Sequence, residues 1–441
     1  MLNQLLDILK KSNVFLTGRG GVGKSHLTQA VIKHYKSELK NVVVLGSTGI
    51  AAVNVGGVSV HSFFKFGICS NLEELRGYDR KQRGKLGELK KMLDVCDLIV
   101  IDEISMISAG LMDMIYYRLM SSRFVGRVML VGDFYQLPPV RKNGDDGNSL
   151  FKFLYAFNSS SWHEFEFKNI ELVVSKRTKD KKFYDILSML RVGRLSEEVF
   201  SYIENLRVPR VQVDDDTSVL FGRNYEADEL NNKMLSKLSA QLERAEALVE
   251  IYDENLNENA LDRWIANLYA PEILNIKIGA KVIFTVNKWG EYYNGERGQI
   301  MQILKENGEI KSVIVQKADG GEIVEVERAR FDMSEFVMEG EHLQERARAS
   351  LTQFPLKLAY AITIHKSQGM SIENLVCDLN HIFANGQLYV ALSRAIDPKK
   401  LRIFYGKSRP FREYLQSVVK IDEEVEKFYL ENKFENIKED V

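Results

Sequence analysis

Net positive charge is what this 441-residue sequence lacks most plainly: 60 basic side chains against 61 acidic ones leave a formal charge of −1. That balance excludes a protein that coats nucleic acid with a uniformly basic exterior. It does not exclude a motor, because a strand threaded through a groove needs only local positive potential and stacking surfaces. No apolar run is long enough to span a bilayer, so no membrane partner is expected. The opening MLNQLLDILKKSNVFLTG has no basic start, apolar stretch and small-residue cleavage site in series. The chain is therefore expected in the cytoplasm, associated with the nucleoid if its source is bacterial. Cysteine is scarce: Cys69, Cys96 and Cys377 are too far apart to read as a metal-ligand pattern or a disulfide framework, and structural roles are expected for all three. Internal repeats and low-complexity segments are missing as well.

What is present begins with length, which at about 150 residues per domain predicts roughly three folding units. The first 170 residues alternate short β-rich runs with helical patterns. Val14–Thr17, Val42–Gly46, Asp97–Ile101 and Val128–Val131 read as buried strands and Lys24–Lys40 as a helix. This predicts an α/β fold with parallel strands joined by crossover helices. Ile68–Lys91 carries Arg80, Lys81, Arg83, Lys85, Lys90 and Lys91 with few large apolar residues, which suits a small surface insertion; alone, such a basic run is a solvated face. Polar loops at Arg141–Ser149 and Val213–Thr217 bracket the passage to a second α/β unit, with buried-strand texture at Ser218–Gly222, Leu356–Ile364 and Leu375–Asp378. Between Ile276 and Ser350 short β runs separated by turns predict a small antiparallel barrel inserted in that second unit. Within it, Tyr292 and Tyr293 could stack a base or cover the barrel, and covering is the expectation. The tail from Phe411 is charged and helical in period, with little functional signal.

Gly18, Arg19, Gly20, Gly21, Val22, Gly23, Lys24 and Ser25 fit G-x-x-x-x-G-K-[ST] directly after a predicted strand and at the start of a predicted helix, the context that gives the motif meaning. Glycines let backbone amides curl around phosphates, and the helix N-terminus adds partial positive charge. Lys24 would supply a full charge to the β and γ phosphates of ATP, and Ser25 a ligand for Mg2+. The apolar run that starts at Asp97 ends in two carboxylates, Asp102 and Glu103, at the edge where a parallel sheet meets its ligand. Asp102 is expected to complete the Mg2+ shell, and Glu103 to orient and deprotonate the attacking water. The next strand runs into Asp133-Phe134-Tyr135-Gln136-Leu137-Pro138-Pro139, delivering Gln136 to the same edge as a candidate γ-phosphate sensor. Catalysis here is mostly charge stabilisation, and an arginine brought from a second domain is worth roughly 10³ to 10⁵ in rate. Arg394 in GQLYVALSRA and Arg177 in ELVVSKRT are the two candidates, although either one alone reads more readily as a surface ion-pair partner.

Together these segments resemble the petite-integration-frequency (Pif-one) family of DNA helicases, a group within superfamily one, over nearly the whole chain. GRGGVGKS is similar to the family's first motif, TGIAAVNVGGVSVHSFFKFG to its next segment, and IDEISMISAGLMDMI to its magnesium motif with the family's own signature stretch. VGDFYQLPPV resembles the sensor motif, and QFPLKLAYAITIHKSQGMSI with GQLYVALSRA the closing motifs. The resemblance implies two RecA-like parallel-sheet motor domains, at 1–170 and at 171–275 with 351–441. It adds a small wedge insertion at about 68–91 and an SH3-like β-barrel insertion at 276–350. It implies ATP hydrolysis between the motor domains, 5′-to-3′ movement on single-stranded DNA, action on duplex or quadruplex junctions, and translocation as a monomer. By the same resemblance Gln4 reads adenine, His26 and Gly369 join the nucleotide site, and Arg177 and Arg394 are the cross-domain arginines. Thr48, His61, Ser62, Asn224, His365 and Ser367 would line the strand track; taken singly, residues such as His61, His365 and Phe63 are more often packed, hydrogen-bonded core residues than ligand contacts. The family has glutamine where Thr178 follows Arg177, and alanine where Gly20 stands. One rival stays open, an ATP-gated strand clamp or remodeller that does not unwind; a second, a phosphate-loop kinase for a small molecule, predicts a compact lid and no second α/β unit ending in ALSRA, which this sequence has.

Overall fold

A computed structural model describes residues 1–47, 51–52, 58–139, 155–174, 180–211, 217–268, 270–318 and 320–437. Thr48, Arg177 and the Arg141–Ser149 loop lie outside the described residues. The chain forms two compact units, Met1–Lys176 with Ser334–Ala347 and Ile421–Val441, and Arg177–Met333 with Arg348–Lys420.

The first unit is built on a seven-stranded sheet in the order Glu435–Asn436, Lys168–Leu172, Val14–Gly18, Arg127–Val131, Leu98–Asp102, Val42–Gly46, Val58–Ser59. Every neighbouring pair is parallel. VFLTG and VVVLG are buried at every position, as strands covered on both faces must be. The strand expected from Asp97 starts one residue later, because the Asp97 carboxylate turns to accept the Asn41 N–H at 2.8 Å. The helix after the glycine loop is Lys24–Ser37, shorter than expected; Leu39, with φ of 59°, ends it in the left-handed region. The 68–91 segment forms the helix Leu72–Asp79 and the start of Arg83–Val95; Arg83, Lys85, Lys90 and Lys91 lie on the second helix, with Arg80 and Lys81 in the turn between the two. Arg118 holds the first of them by a two-pronged pair with Asp79 at 2.6 and 2.7 Å, and donates to the Phe64 carbonyl at 3.0 Å. Being buried and bidentate, that pair is of the strong kind.

The chain from Ile421 onward, expected in the second unit, belongs to the first. Glu435–Asn436 extends the first sheet beside Lys168–Leu172. Phe428, on the Glu423–Glu431 helix, stacks on Phe157 at 4.4 Å and meets Phe134 edge-on at 5.5 Å. The apolar side of a charged tail has found its partners far away in sequence.

In the second unit five parallel strands run in the order Ala361–Thr363, Ser218–Phe221, Leu375–Asp378, Leu401–Phe404, Arg207–Val208. The Leu356–Ile364 run, expected as one strand, is two: Leu356–Leu358 pairs antiparallel with Lys281–Phe284, and Ala361–Thr363 pairs parallel with Ser218–Phe221. Between them the Ala359 carbonyl accepts the Ser218 hydroxyl at 2.7 Å. An antiparallel sheet of Ile323–Val326, Glu309–Lys317, Arg297–Glu306, Lys281–Phe284 and Leu356–Leu358 lies where the barrel was expected. Smaller ribbons, Glu243–Glu246 with Ile273–Ile276 and Leu248–Ile251 with His342–Gln353, begin before residue 276. Tyr292 covers the sheet, stacked on Phe284 at 4.3 Å, whereas Tyr293 is 53% exposed. Among the described residues no helix is long and apolar enough to cross a membrane.

Candidate nucleotide and strand sites

The glycine loop joins the central Val14–Gly18 strand to the Lys24–Ser37 helix. Gly21 and Gly23 have φ of 81° and 91°, a left-handed backbone that glycine adopts without strain and that turns successive N–H groups to one side. The Lys24 ammonium donates to the carbonyls of Gly18 at 2.6 Å and Arg19 at 3.1 Å, so the loop itself fixes the cation. Ser25 and His26 are exposed on the first turn of the helix. Gln4 is exposed on the Leu2–Leu9 helix, whose Leu5, Leu6 and Leu9 share a core with Leu27 and Val31 from the loop's helix.

Two strands away from the loop, Leu98–Asp102 ends at the same edge. Burial pushes the Asp102 carboxyl above its ordinary range, against the Glu103 N–H that it accepts at 2.8 Å and the nearby charge of Lys24. A buried carboxylate with so little compensation fits a divalent cation, which would supply the missing positive charge. The Ser47 and Ser105 hydroxyls, next to the strand ends, are buried and have no hydrogen-bond partner among the described residues, which adds polar capacity there. Glu103 has φ of 53°. This left-handed backbone is uncommon outside glycine and asparagine, and such strain gathers at functional sites. Space for it comes from Gly132, φ 155°, where a Cβ would lie 2.9 Å from the Ile104 nitrogen. At the end of Arg127–Val131 the Asp133 carboxylate accepts the Tyr135 N–H at 3.2 Å and its carbonyl the Gln136 N–H at 2.9 Å, making a tight turn with Gln136 buried.

In the second unit Arg394 is 3% exposed. Its guanidinium donates to the Val390 carbonyl at 2.9 Å, the Ser393 hydroxyl at 2.9 Å and the Ser367 carbonyl at 3.3 Å. His365 and Ser367 form a single 3-10 turn that follows Ala361–Thr363, and Gly369 stands exposed after it with φ of 80°. Burial holds the His365 imidazole below its ordinary range, so it is neutral at pH 7, and its ring stacks on exposed Phe383 at 6.1 Å. The Ser367 side chain points inward: its hydroxyl donates to the Ile364 carbonyl at 2.8 Å. Asn224 is exposed at the first turn of Asn224–Lys237. His61 and Ser62, in the first unit, sit on the short helix Val60–Phe63, which Ser59 caps by accepting the Ser62 N–H at 3.2 Å. His61 meets Phe66 edge-on at 6.2 Å.

The structure thus gathers Lys24, Ser25, Asp102, Glu103 and Gln136 at one edge of the first sheet and Arg394, His365 and Ser367 in one cluster of the second unit. Sequence reading missed Tyr429, whose hydroxyl lies 2.8 Å from that of Thr17, beside the loop. A charged tail gave no signal for it beyond the aromatic pair Phe428-Tyr429.

A loop of this kind, backed by a buried carboxylate on one of two parallel α/β sheets, defines a phosphate-loop nucleoside triphosphatase with two RecA-like domains. A family model described as PIF1-like helicase matches residues 4–200. The ATP-dependent DNA helicase Pif1 of Campylobacter jejuni is 46% identical over 441 residues, covering 98% of each chain. Crystal structures of Bacteroides sp Pif1 share the fold at 24% identity. The complex with ADP-AlF4 has a TM-score of 0.82 and covers 98% of this chain and 96% of that one. The form bound to single-stranded DNA has a TM-score of 0.64, with the same coverage. The chain belongs to the PIF1-like family of DNA helicases.

Proposed function

We propose that this protein hydrolyses ATP at the first sheet's edge and uses the cycle to move 5′ to 3′ on single-stranded DNA, unwinding duplex as it goes. Lys24 and the loop amides hold the β and γ phosphates, and Ser25 and Asp102 hold Mg2+, which neutralises phosphate charge when bound. Glu103 orients and deprotonates the attacking water, and Gln136 senses the γ-phosphate. Arg394, with Arg177, stabilises charge that develops during hydrolysis. His61, Ser62, Asn224, His365 and Ser367, with Thr48, contact the strand. Quadruplex junctions as substrates, and movement as a monomer, belong to the same reading.

The observation that supports a motor most is the bond from Arg394 to the Ser367 carbonyl at 3.3 Å. It ties a residue assigned to the phosphate to the turn that carries His365, so a change at one is felt at the other. Coupling of this kind is what a motor requires, since work comes from differential affinity between states. A small-molecule kinase has no use for it. Strand displacement is the test: a duplex with a 5′ single-stranded overhang should be unwound in the presence of ATP, and one with a 3′ overhang should not. ATP hydrolysis stimulated by single-stranded DNA with no displacement from either end would leave a clamp or remodeller instead.

A further inference from the structure

The C-terminal helix reaches the back of the nucleotide site. Tyr429, on Glu423–Glu431, places its hydroxyl 2.8 Å from the Thr17 hydroxyl, 3.4 Å from the Phe134 N–H and 3.5 Å from the Asp133 carboxylate. A phenol has one proton to give and two lone pairs. These contacts are satisfied together when it donates to Asp133 and accepts from Phe134 and Thr17. Its ring is fixed as well, stacked on Tyr135 at 4.5 Å and 17° and on Phe434 at 5.1 Å and 23°. Thr17 immediately precedes the first glycine of the loop, and Asp133 opens the turn that ends in Gln136. One hydroxyl therefore bridges the root of the phosphate loop and the root of the sensor turn.

We propose that Tyr429 is a positioning residue of the ATPase site, its hydroxyl setting the spacing between the phosphate loop and the Asp133–Gln136 turn so that Gln136 meets the terminal phosphate. The inference rests on the ATPase reading given above. Tyr429 does not touch the phosphates under this account; it acts through Thr17 and the turn. The segment after Lys420 thereby becomes part of the catalytic apparatus, although it contributes no catalytic residue.

Tyr429→Phe keeps the stacked ring and removes only the bridging oxygen. Turnover and the KM for ATP are to be measured with saturating single-stranded DNA, beside the thermal unfolding midpoint, for wild type, Tyr429→Phe, Phe428→Leu and Lys24→Ala. A displacement of catalytic groups by up to about 1 Å costs on the order of ten- to a hundredfold in rate. That is the expected loss of kcat in Tyr429→Phe, with KM and the midpoint close to wild type. Phe428→Leu, which thins the aromatic core, should show the opposite pattern: a lower midpoint and near-normal kcat at temperatures where it is folded. Wild-type kcat in Tyr429→Phe, or a loss accounted for by its unfolded fraction, overturns the inference while wild type still hydrolyses ATP and Lys24→Ala does not. Absence of hydrolysis in wild type would instead defeat the underlying ATPase reading.

Discussion

The two parallel sheets share an architecture and differ in what their units hold fixed. In the first, strand ends and loops present a lysine clamped by the Gly18 and Arg19 carbonyls, a buried and poorly compensated Asp102, and a Glu103 with φ of 53°. In the second, buried Arg394 donates to the Val390 and Ser367 carbonyls and the Ser393 hydroxyl, and neutral His365 stacks on Phe383. One site stores an electrostatic deficit that a metal and phosphates can relieve; in the other the buried arginine is met by protein oxygens. Similar α/β scaffolds thus support different chemistry because the loops after their strands differ.

Disabling each site in turn separates their roles. Lys24→Ala should abolish hydrolysis, and Glu103→Gln should lower kcat by roughly 10² to 10⁴ while ATP still binds; steady-state kinetics beside a nucleotide-binding titration separate the two. Arg394→Ala should bind ATP and lose roughly 10³ to 10⁵ in kcat, and wild-type hydrolysis there would remove Arg394 from the chemistry. Next in size, His365→Ala should raise the single-stranded DNA concentration needed for half-maximal stimulation by roughly tenfold. Stimulation curves that superimpose on wild type would take His365 off the strand track.

The smallest expected effect concerns stability, and its sign is opposite at the two sites. The Asp102 pKa is raised in the folded protein, so the native state holds its proton to higher pH than the unfolded chain does. The stabilisation linked to that proton is complete below the unfolded pKa and is lost as pH rises through the native value. At neutral pH the ionised group is a burden, and Asp102→Asn should raise the metal-free unfolding midpoint while it destroys Mg2+-dependent turnover. Arg394→Ala should lower the midpoint, because it strips the hydrogen bonds to Val390, Ser393 and Ser367 from a buried cluster. Thermal melts in a chelating buffer read both changes.

The nucleotide edge was legible in the sequence because its signals are local: a glycine spacing, an apolar run and two carboxylates occupy short stretches whose structure follows from periodicity. What escaped was decided by distant partners. Leu356–Ile364 has the texture of one buried strand, yet Lys281–Phe284 claims its start and Ser218–Phe221 its end. Glu243–Glu246 reads ERAE and has little strand propensity of its own, but Ile273–Ile276 pairs with it. The tail looked uninformative because Phe428 and Tyr429 acquire meaning only against Phe157 and Tyr135. Ser367, named for the strand track, directs its hydroxyl to Ile364, an orientation that no motif encodes.

In the proposed cycle, a triphosphate held by Lys24 meets Arg394 during hydrolysis. A crystal structure with ADP–aluminium fluoride and a short single strand tests it most directly. The Arg394 guanidinium is expected on the fluoride, with Lys24 on the opposite side and Glu103 aimed at the attacking water. An Arg394 directed away from the fluoride in that complex, still satisfied by Val390, Ser393 and Ser367 alone, would contradict it.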